Sequence, residues 1–395
     1  MLETFLSQNN RDSVILTNTA PSKWPEDVTR RLKFLRIARA RFALDNNPLN
    51  EPPWNSIREG FCINPRDKVY SVLGIFAHPP VYPDYTRPVA DVYRDFVVTV
   101  ESSLDVILYM KENLSLKVTP NLPSWVPDFA ARAQEPIPWT YLGARFAYRA
   151  GWSEADTSPL RLDHPDPNIL AIHGIEADTV SHVAASYEEL TQADGLLSSL
   201  GIMHLVSPTL AASRNGEDPV STFWRTLTAN LVGAGPERVR PELHGRGFRV
   251  LATHCLARSA DSDPTTVRNL LEQVQSPFLP SWEEILEYTR GGNATKEKAA
   301  EEAVIFLDAL RAMFNGRRIF FTEAGRIGIG PEGVEKGDRV VVLRGMRFPF
   351  VMRKVGQEEE EEGGNSRYSL VGHCFAEGIM EGEVLGGEWL RLEIE

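Results

Sequence analysis

At 395 residues the chain is long enough for two or three domains with sizeable cores. Its hydrophobic and charged fractions, 42% and 24%, are those of an ordinary globular protein, and a net charge of -12 argues against general nucleic-acid binding, which favours basic surfaces. No apolar run approaches the ~20 residues of a membrane helix, and the N-terminus lacks the basic-then-apolar pattern of a secretory signal. Cys62, Cys255 and Cys374 are scattered without a CxxC pair. That usage fits a reducing compartment and neither a disulfide framework nor a zinc site. The expectation is an intracellular, cytoplasmic protein without a membrane span.

In chain order, Pro25 to Asn46 reads as a helix. Val28, Leu32, Leu35 and Phe42 form its apolar face, and its basic residues read as a solvated face. Asn64-Pro65-Arg66-Asp67 reads as a capped helix start, with Val69, Val72 and Leu73 as the apolar face. His78 to Tyr85 is extended, because its prolines and pre-proline residues leave little choice. A second helix starts near Pro88, with Val89, Val92, Tyr93, Phe96 and Val97 at three- and four-residue steps. Asn121 to Phe129 is a rigid Pro-bounded loop. Asn168 to Ile175 alternates as a strand, and Val180 to Val206 reads as partly helical. Ser221 is placed as the cap of a helix beginning FWRTL, and Gly233 to Gly247 as a long loop. Val250 to Arg258 and Thr265 to Val274 read as helical. Thr295 to Asn315 is the clearest helix, with Ala303, Phe306, Leu307, Leu310, Met313 and Phe314 on one face and Gly316 at its end. From Gly316 onward, short β-branched runs alternate with Gly-rich turns, as in a compact β-module, and Glu358 to Glu362 reads as a solvated hairpin tip.

These elements define an α+β protein: a mostly helical N-terminal and central region with Pro-rich loops, then a small C-terminal antiparallel, barrel-like β-module. The expected divisions are 1–62, a helical segment, 63–315, mainly helical with short strands, and 316–395, the β-module with its acidic loop 358–362. The module is expected to pack as a cap on the Thr295–Asn315 helix.

Five blocks carry a resemblance: NPRDKVYSVLGIF with VYPDYTRPVADVYRDFVVTV, LPSWVPDF, FWRTL, GRRIFFTEAGRIGIGP with GDRVVVLRGMRFPFVMR, and YSLVGHCFAEGIMEGE. In this order they resemble the region that follows the HET domain in fungal heterokaryon-incompatibility proteins. The HET domain itself would precede Asn64, and residues 1–63 carry none of its sequence. The resemblance therefore implies a truncated member, a stand-alone C-terminal region, or a chain whose upstream domain is missing. The NAD cleavage known for some domains like that N-terminal one does not carry over, since no residue here matches its site. What does carry over is a non-enzymatic regulatory or interaction role in self/non-self recognition and the cell-death response, with protein partners.

Chemical motifs are few. Gly328-Ile329-Gly330-Pro331-Glu332-Gly333 satisfies G-x-G-x-x-G, but a strand and not a helix follows, so the glycines read as turn residues needing positive φ and not as a dinucleotide loop. His254-Cys255 and His373-Cys374 are adjacent pairs, poor geometry for a base and its nucleophile, and Cys374 reads as a small buried residue. The histidines, His78 among them, have no metal-ligand spacing, and no cofactor is expected. Arg66, Asp67 and Lys68 form the most charged shared block, read as an ion pair fixing a helix start or as an anion or interaction site. Trp125, Phe129, Trp139, Tyr141 and Trp152, with Phe146 and Tyr148, could line the pocket of a small-molecule enzyme on this scaffold, or could serve core packing. Asp84 and Asp128 read as turn residues that bond nearby amides.

Overall fold

The computed structural model describes residues 62–75, 79–100, 117–131, 147–152, 164–192, 194–206, 216–232, 237–356 and 367–395. The chain divides into two compact units, the smaller comprising 8–136 and 158–161 and the larger 1–7, 137–157 and 162–395. The expected helix from Pro25, His78, the Trp139, Tyr141 and Phe146 positions and the Glu358–Glu362 run lie outside the described residues.

In the smaller unit, Asp67–Tyr70 forms a single-turn helix, α1, and Val89–Val100 forms α2. Asn64 closes the turn into α1, its Oδ1 accepting from the Arg66 amide at 3.1 Å. The apolar face of α2 buries Val92, Tyr93, Phe96 and Val97. Phe129 meets Tyr93 and Phe96 edge to face, with centroids 5.0 and 6.0 Å apart. Two side chains tie the Pro-bounded loop. Lys117 Nζ donates to the carbonyls of Pro123, Ser124 and Val126 at 2.6–2.7 Å. Asp128, fully buried, accepts from the amides of Val118, Thr119 and Ala130 and from Thr119 Oγ1. Burial pushes the Asp128 carboxyl up, but those hydrogen bonds outweigh it and hold the pKa below the usual carboxylate range.

The larger unit is organised around one long strand, β1, Leu170–Ser186. The remaining strands are β2 (Arg317–Thr322), β3 (Ile327–Pro331), β4 (Arg339–Leu343), β5 (Pro349–Lys354), β6 (Arg367–His373), β7 (Phe375–Ala376) and β8 (Leu390–Ile394). The first half of β1 pairs with β8 on one side and β4 on the other; pairings β4–β5, β5–β6 and β6–β8 complete a ring-like cycle. Past its register shifts, the second half of β1 leaves that cycle and pairs with β2, which leads to β3 and β7. All pairings are antiparallel except β6–β8. The core inside holds Val180, Phe320, Val340, Val342, Val351 and Cys374.

Sequence reading made β1 too short. Val180–Ser186 is strand, because Val180 to Ser186 finds its partners 130 and more residues onward, in β2. The helices follow as α3 (Tyr187–Leu190), α4 (Gly195–Val206), α5 (Pro219–Leu227), α6 (Arg246–Ser262), α7 (Pro264–Gln273), α8 (Trp282–Arg290) and α9 (Asn293–Phe314). Capping boxes start α3, through Ser186 and Glu189, and α8, through Ser281 and Glu284. The cap of α5 is Asp218 and not Ser221: Pro219 takes the first helical position, and Asp218 accepts from the amides of Val220 and Ser221. The stretch expected as a loop to Gly247 ends in a π turn, Pro241–Gly245, that runs into α6.

The apolar face of α9 packs mainly along α6, the π turn and α5, and not as the support of the sheet. Phe306 meets Phe248 and Trp224 edge to face. Gly247 lets the two helices approach, since a Cβ there would stand 2.6 Å from Phe306 Cβ. The helical cover of the sheet is instead α4 on β1 and β2, and α5 on β3.

Candidate functional site

A cleft of ≈ 500 Å³ lies where β1 leaves its ring. Ser181, His182 and Val183 of β1 form one wall, Arg318 of β2 contributes, and the turn 332–336 between β3 and β4 forms the other. Its volume falls within the range of small-ligand pockets, although it is open to solvent.

The turn wall is braced from behind. Asp338, buried, accepts two hydrogen bonds from the Arg353 guanidinium at 2.8 and 3.0 Å and one from the Glu335 amide at 2.8 Å. Arg353 also donates to Gly333 O at 2.8 Å and pairs with Glu335 at 3.1 Å. The hydrogen bond to Asp338, against the cost of burial, raises the Arg353 pKa further. This turn contains the end of the G-x-G-x-x-G match. A second turn and then β4 follow it, so no helix N-terminus points amides at a phosphate. The glycines are not there for positive φ either, which corrects the sequence reading. Gly328 and Gly330 lie within β3, and neither is among the glycines of positive φ. Gly328 faces Phe320 across the β2–β3 pair, and a Cβ on it would stand 2.2 Å from Phe320 Cζ. The glycines make room for an aromatic ring.

On the strand wall, Ser181 Oγ donates to Phe321 O at 3.1 Å, and His182 Nδ1 lies 3.1 Å from that serine Oγ. With the serine proton committed to a carbonyl, the imidazole N–H is the donor in the second contact. That direction is opposite to the one that activates a serine nucleophile. Arg318 donates to Ala184 O at 3.1 Å and pairs with Glu189 at 3.3 Å. Lys336 and Glu332 stand exposed at the mouth, with no ion pair among the described residues.

The residues singled out in the sequence go elsewhere. Arg66 donates through Nε to Arg87 O at 2.7 Å and through Nη1 to Asn64 Oδ1 at 3.3 Å. Asp67 accepts from Tyr85 Oη at 2.6 Å, and Lys68 lies within the same turn, α1. Arg66 and Asp67 thus tie α1 to Arg87 and Tyr85, and no Arg66–Asp67 pair forms among the described residues. Trp125 and Phe129 are fully buried in the smaller unit, whereas Tyr148 and Trp152 belong to the larger. The guanidinium of Arg347 stacks on Trp152 at 3.9 Å, and Tyr148 is buried against Phe348 and Phe375. Within their own units these described aromatics are buried or stacked. Asp84 and Asp128 bond nearby amides as expected.

His373-Cys374 is buried beside Arg317, whose Nη1 donates to His373 O at 3.2 Å and whose Nη2 contacts His373 Nε2. Burial draws the Arg317 pKa down to about 9 and pushes the Cys374 thiol well up. A buried, protonated thiol is inert as a nucleophile. His254 and Cys255 lie on α6; the imidazole meets Tyr288 Oη at 3.0 Å, and burial raises the thiol pKa to about 12. Arg225 of the FWRTL block pairs with Glu217 at 2.7 Å and stands 4.0 Å from Glu377 of the last shared block, whose carboxyl burial pushes up. Among the described residues no group of His, Cys, Asp and Glu is arranged to hold a metal ion, and no helix is long and apolar enough to cross a membrane.

This is an α+β protein whose C-terminal region, residues 285–389, matches the Het-6 beta-barrel domain. The matched stretch contains β2 to β7, whereas β1 and β8, which complete the cycle of pairings, lie outside it. The chain is also similar to heterokaryon incompatibility protein 6, OR allele, of Neurospora crassa, at 23% identity over 364 residues. That similarity covers 82% of this chain and 49% of the Neurospora protein, so the chain spans about half the length of its relative. Both findings bear out the resemblance carried by the sequence blocks. No solved structure matches.

Proposed function

We propose that this chain is a non-enzymatic regulatory and interaction region of a heterokaryon-incompatibility protein, acting in the cytoplasm through protein partners in self/non-self recognition and the cell-death response. The observation that carries this reading is how the polar side chains of the shared blocks are used. Arg66 and Asp67 hold a turn, Asp128 ties a loop, Arg225 bridges toward Glu377, and Arg317 bonds His373. Each is committed to holding the fold, and they are spread over both units. A catalytic constellation needs such groups convergent on one substrate position.

The test is a heterokaryon assay. The chain is expressed in one of two compatible filamentous strains, and the fused mycelium is scored for growth arrest and cell death. The expected result is a response that depends on the chain and persists with Ser181→Ala and His182→Ala, the cleft's reactive side chains. A response abolished by either substitution, in protein of unchanged thermal stability, would instead favour an enzyme. Identical heterokaryons with and without the chain would remove the proposed role.

A further inference from the structure

The cleft contains an unpaired length of strand edge. Thr322 N–H bonds to Arg326 O at 3.0 Å, on the β3 side, and Glu323 N–H bonds to Thr179 O at 2.9 Å, on the β1 side. Backbone groups of successive residues alternate between the two edges of a strand. Phe321 therefore turns its amide and carbonyl toward β1, and Phe320 turns its own toward β3. Phe320 is the residue opposite Val183. That pair is thus one without hydrogen bonds, and Val183 directs its N–H and C=O away from β2, to the outer edge of the strand.

The same edge is covered on both sides of Val183. Val180 N–H donates to Asp338 O, and Val180 O accepts from Gly337 N–H, at 2.8 Å each. Ala185 N–H donates to Ser199 Oγ at 3.3 Å. β4, which covers the first half of β1, pairs no further than Thr179. Between these covers, among the described residues, the Val183 donor and acceptor have no partner and open onto the cleft.

We infer that the cleft receives an extended polypeptide segment, which adds to the outer edge of β1 at Val183 as one more strand. A donor and an acceptor on one residue, side by side on a strand edge, are the complement of another extended backbone. The segment would continue the line that Gly337 and Asp338 begin. At the mouth, Lys336 and Glu332 are the charges left over, since Arg318 and Glu335 are already paired with Glu189 and Arg353. The partner segment accordingly carries an acidic side chain for Lys336 and a basic one for Glu332. The inference rests on the reading of the chain as an interaction region and names the chemistry of its partner.

The experiment uses the full chain. A displayed library of random heptapeptides is selected on it, with counter-selection against a Lys336→Trp variant that obstructs the mouth. The best peptide is then synthesised in two further forms, N-methylated at every odd or at every even residue. Strand addition removes donors that matter in one form only. One form is therefore expected to bind roughly tenfold more weakly, the size of a lost hydrogen bond, while the other keeps its affinity. Saturating peptide is also expected to slow hydrogen exchange at the Val183 amide, read by NMR with valine labelling. Lys336→Glu should weaken binding without changing thermal stability. The inference is overturned if no peptide is enriched, if both methylated forms bind alike, or if the Val183 amide stays unprotected. These outcomes are independent of the heterokaryon assay, so failure of the biological role and failure of the peptide site are separable.

Discussion

Replacing Gly328 by alanine sets the packing account of the glycine motif against the phosphate-loop account. A methyl at that position would stand 2.2 Å from Phe320 Cζ and 2.6 and 2.7 Å from its ε carbons. The ring is fully buried and also bears on Gly330, where a Cβ would be 3.2 Å away, so it has little room to turn aside. Overpacking of this kind costs about 1–3 kcal/mol. Phe320→Ala alone removes a buried ring and costs about 3–5 kcal/mol. In the double variant the clash is gone, and alanine in a strand is better than glycine by roughly 0.5–1 kcal/mol. The two substitutions should therefore couple by about 1.5–4 kcal/mol, measured as a double-mutant cycle by denaturant unfolding. Coupling below about 0.5 kcal/mol would mean that Gly328 and Phe320 act independently, and the packing account would be wrong. Gly328→Ala with unchanged stability and altered nucleotide binding would restore the phosphate-loop reading.

Val342→Asp places a carboxylate in the fully buried core of the ring, at a cost of several kcal/mol, and should abolish cooperative unfolding of the larger unit in calorimetry. Asp128→Asn keeps the shape but leaves one acceptor oxygen facing four donors, and should lower stability by roughly 2–4 kcal/mol at neutral pH. Because the folded pKa of Asp128 lies below its unfolded value, its contribution is complete above the unfolded pKa, near 3.8, and is lost as pH falls through the folded value. The gap between wild type and variant should narrow correspondingly in acid. A thiol reagent should label Cys62, which is exposed, in the native protein, and Cys255 and Cys374 only after denaturation. Residues 285–395 expressed alone lack β1 and should not fold, whereas 147–395 should give a cooperative transition in circular dichroism.

Much of the C-terminal region was legible because its signals are local. β2 to β6 are short, largely apolar runs; Gly316 marks the turn into β2, and Gly325, Gly337 and Gly345 mark the turns from β2 to β5, all at positive φ. The face of α9 was equally plain, but not its partner, since amphipathicity says that a helix packs and not against what. The role of β1 was hidden. A strand at 170–186 looks peripheral when its partners lie at 317–343 and 390–394. The cleft shared that fate: Ser181 to Val183 and Glu332 to Lys336 are about 150 residues apart, and an outward-facing amide leaves no trace in residue type. For the aromatics, residue type does not separate a stacked or buried ring from a pocket wall.

The pairing of Leu170 with Ile394 sets a schedule for synthesis. On the ribosome, β1 is made early and waits while more than half of the larger unit is still to be translated. Its Val and Ala residues and its open edges stay exposed throughout, the situation in which nascent strands aggregate or recruit chaperones. α3 and α4, which follow directly and contact β1, are the elements available to shelter it in the interval. The ring can close only when residues 390–394 have left the exit tunnel, so a chain that stops short of β8 would hold β1 to β7 and leave the ring open.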